Sequence, residues 1–138
     1  MATRPKRKAS RAAARRRVDP RILAAAIGSA RVADSRRGED ILILHIEELI
    51  IVTDYFVMVS AKNKRQIQAI AADIKEYFRG AGFTGIRMEG YEEASWVLID
   101  CGPIVVHIFR QDLRSYYDLE LLWGDAPSVE WRETPSKK

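Results

Sequence analysis

The stretch WVLIDCGPIVVHIF, residues 96–109, constrains the fold more than any other part of the chain. Two runs rich in β-branched and aromatic residues flank Gly102-Pro103, and glycine first with proline second suits a two-residue type II′ hairpin turn. If the turn closes there, Cys101 faces Ile104 and the register of the whole hairpin follows, because strand side chains alternate with a period of two. One face then carries Val97, Ile99, Cys101, Ile104, Val106 and Ile108, all apolar, and should lie under helices. The opposite face carries Trp96, Leu98, Asp100, Val105, His107 and Phe109. A carboxylate, an imidazole and two large aromatic rings make that second face a mixed surface.

Three more strands are expected. ILILHI (residues 41–46) and TDYFVMVS (residues 53–60) are nearly continuous apolar runs, which suggests central positions in a sheet. A shorter strand is expected at residues 85–89. Asp19 suits an N-cap and Pro20 the first helical position, opening a helix through RILAAAIGSARVADS with Ile22, Leu23, Ala26, Ile27 and Ala30 on one stripe. A second helix is expected over residues 64–79, with Ile67, Ile70, Ala71, Ile74, Tyr77 and Phe78 at helical spacing and Gly80 as its stop. These elements predict an α/β fold: a mixed β-sheet of about five strands with helices packed mainly on one face.

The chain of 138 residues, 47% of them hydrophobic, fits one domain with a real core. Its net charge of +4 hides an asymmetry. Residues 1–17 hold Arg4, Lys6, Arg7, Lys8, Arg11, Arg15, Arg16 and Arg17 and no acid, which leaves a mildly acidic body. The expected organisation is a disordered basic arm (1–17), a folded domain (18–125) and a flexible tail (126–138). The arm's natural partner is phosphate, through counterion release; a solubilising tail and an organellar presequence are the competing readings. A single cysteine, Cys101, fits a reducing compartment and reads as a small strand residue. No apolar run approaches a membrane span, so the expectation is a soluble cytoplasmic protein without a membrane partner.

YYDLELLWGD, residues 116–125, sets two tyrosines, a tryptophan and three carboxylates among leucines. Ser115 and Asp118 have capping-box spacing, predicting a short helix that Gly124 ends. Leu119 and Leu122 read as packing residues. Tyr117, Asp118, Glu120 and Trp123 read as anchors and charges available to a partner.

TDYFVMVS, RQIQAIA, MEGYEEASWVLIDCGPIVVHIF and RSYYDLELLWGDAP, in that order, resemble the ribosomal silencing factor family, RsfS or Iojap, over about residues 22–127. The resemblance implies a nucleotidyltransferase-like α/β domain without that superfamily's catalysis. It also implies a translation repressor that binds the fourteenth protein of the large ribosomal subunit and blocks joining of the small subunit in starvation or stationary phase. The chain departs from the pattern at Ala61, Lys62 and Asn63, where the family has glycine and small hydroxyl residues, so contacts of that loop do not carry over.

The residues also argue against catalysis. Nucleotidyl transfer needs a Gly-Ser turn for triphosphate and carboxylates on neighbouring strands for Mg²⁺. Gly28-Ser29 falls inside the first expected helix, and Asp118 and Glu120 on a helix point about 200° apart. No catalytic residue, metal site or cofactor is therefore expected. His107 beside Asp100 has a functional reading as a general base and a structural one as a half-buried ring tied to a neighbour. The expected partner surface comprises Trp96, Asp100, His107, Phe109, Arg114, Tyr117, Asp118, Glu120 and Trp123. A residual nucleotidyltransferase-like enzyme and an RNA binder acting through the arm are the alternatives. Self-pairing of the mixed face into a homodimer off the ribosome is a further possibility.

Overall fold

The structure is a computed structural model and describes residues 19–46, 53–113 and 127–132. Helix α1 (Pro20–Ser35) starts where expected, with the Asp19 carboxylate accepting from the Arg21 N–H at 2.9 Å and Pro20 in the first turn. Strands β1 (Glu39–His45) and β2 (Tyr55–Ala61) follow, then helix α2 (Lys64–Gly80). Asn63 caps α2, its side chain accepting from the Gln66 N–H at 2.9 Å. Strands β3 (Arg87–Glu89), β4 (Trp96–Asp100) and β5 (Ile104–Arg110) complete the sheet, and one 3₁₀ turn, Gln111–Leu113, comes after β5.

The five strands are ordered β1-β2-β5-β4-β3, with β2 and β5 parallel and the other pairs antiparallel. The mixed sheet expected from the sequence is therefore present. Trp96 opposes Phe109, Leu98 opposes His107 and Asp100 opposes Val105. That is the register set by closing the hairpin at Gly102-Pro103. Gly102 takes a φ of +100°, which a side chain would strain, and the Cys101 N–H donates to the Ile104 carbonyl at 3.1 Å.

Both described α-helices lie on the face formed by Val97, Ile99, Cys101, Ile104, Val106 and Ile108. Ala26 and Ala30 of α1, and Ile67, Ile70, Ala71, Ile74 and Phe78 of α2, are buried against it with Ile43, Val57 and Val59. The small alanines of α1 allow close helix approach, and the larger side chains of α2 fill the centre. At Gly28 the two helices nearly touch: a Cβ there would lie 1.7 Å from the Tyr77 hydroxyl.

Two expectations need correction. The run at residues 41–46 is an outer strand in the hydrogen-bonded order, although it was expected near the centre. Ile41 and Ile43 are buried on one face and Leu44 on the other. A continuous apolar run thus reports burial on two faces and says nothing of position in the strand order. Residues 127–132, expected in a flexible tail, pack along the outer edge of β1. Val129 N–H donates to Ile43 O at 2.9 Å, His45 N–H to Pro127 O at 2.8 Å, and Trp131 Nε1 to Ile41 O at 3.2 Å. The tryptophan ring is buried, and its carbonyl accepts from Arg31 Nε at 3.0 Å. The packed domain therefore extends past Asp125.

Candidate functional site

The sheet face turned away from α1 and α2 is built in rows. Leu44, Phe56, Val105, Asp100 and Arg87 form one, each opposite the next across neighbouring strands. Leu42, Met58, His107, Leu98 and Glu89 form the second, and Ser60, Phe109 and Trp96 the third. The hairpin alone predicted a mixed face. Neighbouring strands make its centre apolar, because Leu44, Ile46, Phe56, Met58, Val105 and Phe109 form a second buried cluster with Leu42, Trp96 and Leu98 packed against it. Alternation within β1 and β2 carried that signal, obscured by the apolar residues of the opposite face.

His107 sits among aromatic rings. Phe56 meets it edge-on with centroids 4.8 Å apart, Phe109 lies nearly parallel at 6.1 Å, and Trp96 donates from Nε1 to its Nδ1 at 3.2 Å. Only 5% of the residue is exposed, and burial pulls the imidazole pKa from 6.5 down to about 4. The ring is neutral at physiological pH. Asp100 lies on the same face, diagonal to His107, but its carboxylate is used elsewhere. It accepts from Arg87 Nη2 at 3.0 Å and from the Gly102 N–H at 2.8 Å. Asp100 therefore braces β3 and the hairpin turn, and the base-and-carboxylate pair considered from the sequence does not form. The structural reading of His107 is the one this geometry supports.

Trp96 is half-buried at one end of the face and Asp100, with 24% of its side chain exposed, at the other. Phe109 has no exposed surface. With His107 it forms the packing beneath Trp96, leaving Trp96 and Asp100 as the members of the expected surface that reach solvent here. Arg114, Tyr117, Asp118, Glu120 and Trp123 lie outside the described residues, as do the arm residues from Arg4 to Arg17.

Gly28-Ser29 lies within α1, as expected, and the buried Ser29 hydroxyl donates to the Ala26 carbonyl at 2.8 Å. Those groups are engaged in helix and packing, not turned toward a phosphate. Among the described residues no three His, Cys, Asp or Glu side chains gather as a metal ion would require. Cys101 is buried, donates to the Ile104 carbonyl at 3.4 Å, and has its pKa pushed up to about 11, mainly by burial. It is a thiol at neutral pH and a poor nucleophile.

Comparison with known proteins agrees with this architecture. The model of the family "Ribosomal silencing factor during starvation" matches residues 19–138. The chain is 48% identical over 102 residues to the ribosomal silencing factor RsfS of Bacillus subtilis, covering 74% of this chain and 86% of that one. A crystal structure from Bacillus halodurans is similar with a TM-score of 0.67 at 37% identity, covering 81% of this chain and 99% of that one. A second, from Chromobacterium violaceum, has a TM-score of 0.67 at 29% identity and covers 79% of this chain and 90% of that one. The match spans the described residues from Asp19 onward, including residues 127–132, which the structure packs onto β1: the chain belongs to the ribosomal silencing factor, or RsfS/Iojap, family.

Proposed function

We propose that this chain is a translation repressor that binds the large ribosomal subunit through its fourteenth protein and sterically blocks joining of the small subunit under nutrient limitation or in stationary phase. The observation that carries the reading is the family match over residues 19–138. The sheet supplies a physical basis for docking. A rigid apolar layer holds Trp96 and Asp100 at its margins, and aromatic anchors with charged neighbours on a stiff scaffold favour specific contact. In this reading Arg114, Tyr117, Asp118, Glu120 and Trp123 also contact the partner, and the mildly acidic body complements a basic ribosomal protein.

In this reading the nucleotidyltransferase-like sheet is a scaffold and performs no chemistry. The protein acts in the cytoplasm, its basic arm touches ribosomal RNA, and the mixed face pairs two copies when the ribosome is absent. A residual nucleotide-binding enzyme is the weaker alternative, since the chain's Gly-Ser pair is enclosed in α1.

The reading is tested on two full-length variants, Asp118→Lys and Tyr117→Ala, each measured by thermal unfolding and by a subunit-joining assay. Reversing a rim charge replaces attraction with repulsion while disturbing little packing. Both variants should unfold close to wild type and block joining less. If both silence joining as well as wild type does, the docking surface lies elsewhere.

A further inference from the structure

A second charged surface lies at the other end of the helix layer. The corner after α1, the start of β1 and the beginning of α2 border a cleft of about 530 Å³ lined by Arg36, Arg37, Glu39, Lys62, Asn63, Arg65, Gln66 and Ala69. One side chain ties the segments that border it together. Gln66 donates from Nε2 to the carbonyls of Arg36 and Arg37, both at 3.0 Å, and its Oε1 accepts from the Lys62 N–H at 2.8 Å. This clamp sets the Arg36-Arg37 corner opposite the loop before α2.

The cations around the cleft are unequal. Arg36 is tied to Asp73 at 2.6 Å and Lys62 reaches Glu39 at 3.7 Å. Arg37 and Arg65 are exposed, and neither has a carboxylate partner among the described residues. Arg37 is held at a φ of +65°, a costly conformation for a residue with a side chain, at the corner that Gln66 bonds. Apart from Ala69 the lining is polar or charged, so the cleft offers no apolar anchor of the kind protein interfaces rely on. Paired arginine forks beside amide side chains instead suit phosphate oxygens.

We infer that this cleft is an RNA contact, with Arg37 and Arg65 gripping the phosphate backbone. The 16 residues of α1 place the cleft about 24 Å from Asp19 at the start of that helix. The inference rests on the reading that this protein works on the ribosome, and it deepens that reading by adding an RNA contact to the protein one.

The test uses full-length protein, a short RNA duplex of arbitrary sequence and purified large subunits, with binding followed across a salt series. Arg37→Glu/Arg65→Glu is compared with Lys75→Glu/Arg79→Glu, an equal charge change on the distal half of α2. Each lost phosphate contact lowers the log–log salt slope by about 0.7 to 0.9, so the cleft variant should lose about 1.4 to 1.8 on the RNA duplex while the control stays near wild type. It should also bind large subunits more weakly, with unchanged thermal unfolding. Equal slopes for wild type and cleft variant, or an equal loss in the control, overturn the cleft as an RNA site. If the duplex slope falls as stated but wild type ignores large subunits, the RNA contact stands and the ribosomal reading fails.

Discussion

Trp96 and His107 are joined across the β4–β5 pair, with indole Nε1 donating to imidazole Nδ1 at 3.2 Å. This bond fixes the neutral tautomer with its proton on Nε2, an atom that is buried with no hydrogen-bond partner among the described residues. Protonation would place a charge among Phe56, Phe109 and Trp96, so the native state resists it.

The pH dependence follows from that resistance. The folded-state pKa of about 4 lies below the ordinary 6.5, so between these values the unfolded chain binds a proton that the folded chain does not. Stability contributed by the neutral ring is complete above pH 6.5 and is lost as pH falls toward 4. The loss amounts to about 3 kcal/mol at most. Denaturant unfolding of wild type and His107→Leu from pH 7 to 4.5 isolates the effect, because other titrating groups are common to both. The wild-type curve should fall more steeply; parallel curves would mean that His107 titrates freely.

Trp131 secures the outer edge of the sheet. Replacing it with alanine removes a buried ring that also bonds Ile41 O, and should cost about 3 to 5 kcal/mol. Trp131→Phe keeps most of the packing and should cost about 1 to 2 kcal/mol for the orphaned carbonyl. Hydrogen exchange at the His45 amide, whose acceptor is Pro127 O, should quicken in the alanine variant. A denaturation midpoint unchanged by Trp131→Ala would mean that this segment does not contribute to the domain's stability.

Gly28 and Tyr77 form a coupled pair. In an open helix interior Gly→Ala adds about 1 kcal/mol of stability, but at position 28 the new Cβ would fall 2.2 Å from Tyr77 Cζ. Gly28→Ala should therefore destabilise the wild type by about 1 to 3 kcal/mol and stabilise a Tyr77→Ala background. Unfolding free energies of the four proteins decide it, and an additive cycle would contradict the close approach.

Local signals made much of this architecture readable from the residues. Asp19-Pro20 announced α1, and Gly102-Pro103 placed Asp100 and His107 on one face in the observed register. What those signals could not carry was long-range. Nothing near ILILHI says which of its edges is covered, and nothing near Trp131 says that it reaches Ile41, 90 residues away. The Asp100–His107 pairing looked possible because sequence reports a shared face, whereas Arg87 and the Gly102 amide claim the carboxylate through β3 and the turn. The clamp made by Gln66 could not be read locally, because it depends on the distant Arg36-Arg37 corner.

The most direct test of the ribosomal reading is cosedimentation of the purified full-length protein with separated small subunits, separated large subunits and intact ribosomes. A repressor that occupies the joining face of the large subunit should sediment with free large subunits and be excluded from small subunits and from intact ribosomes. Equal binding to all three, or binding to small subunits alone, would contradict it.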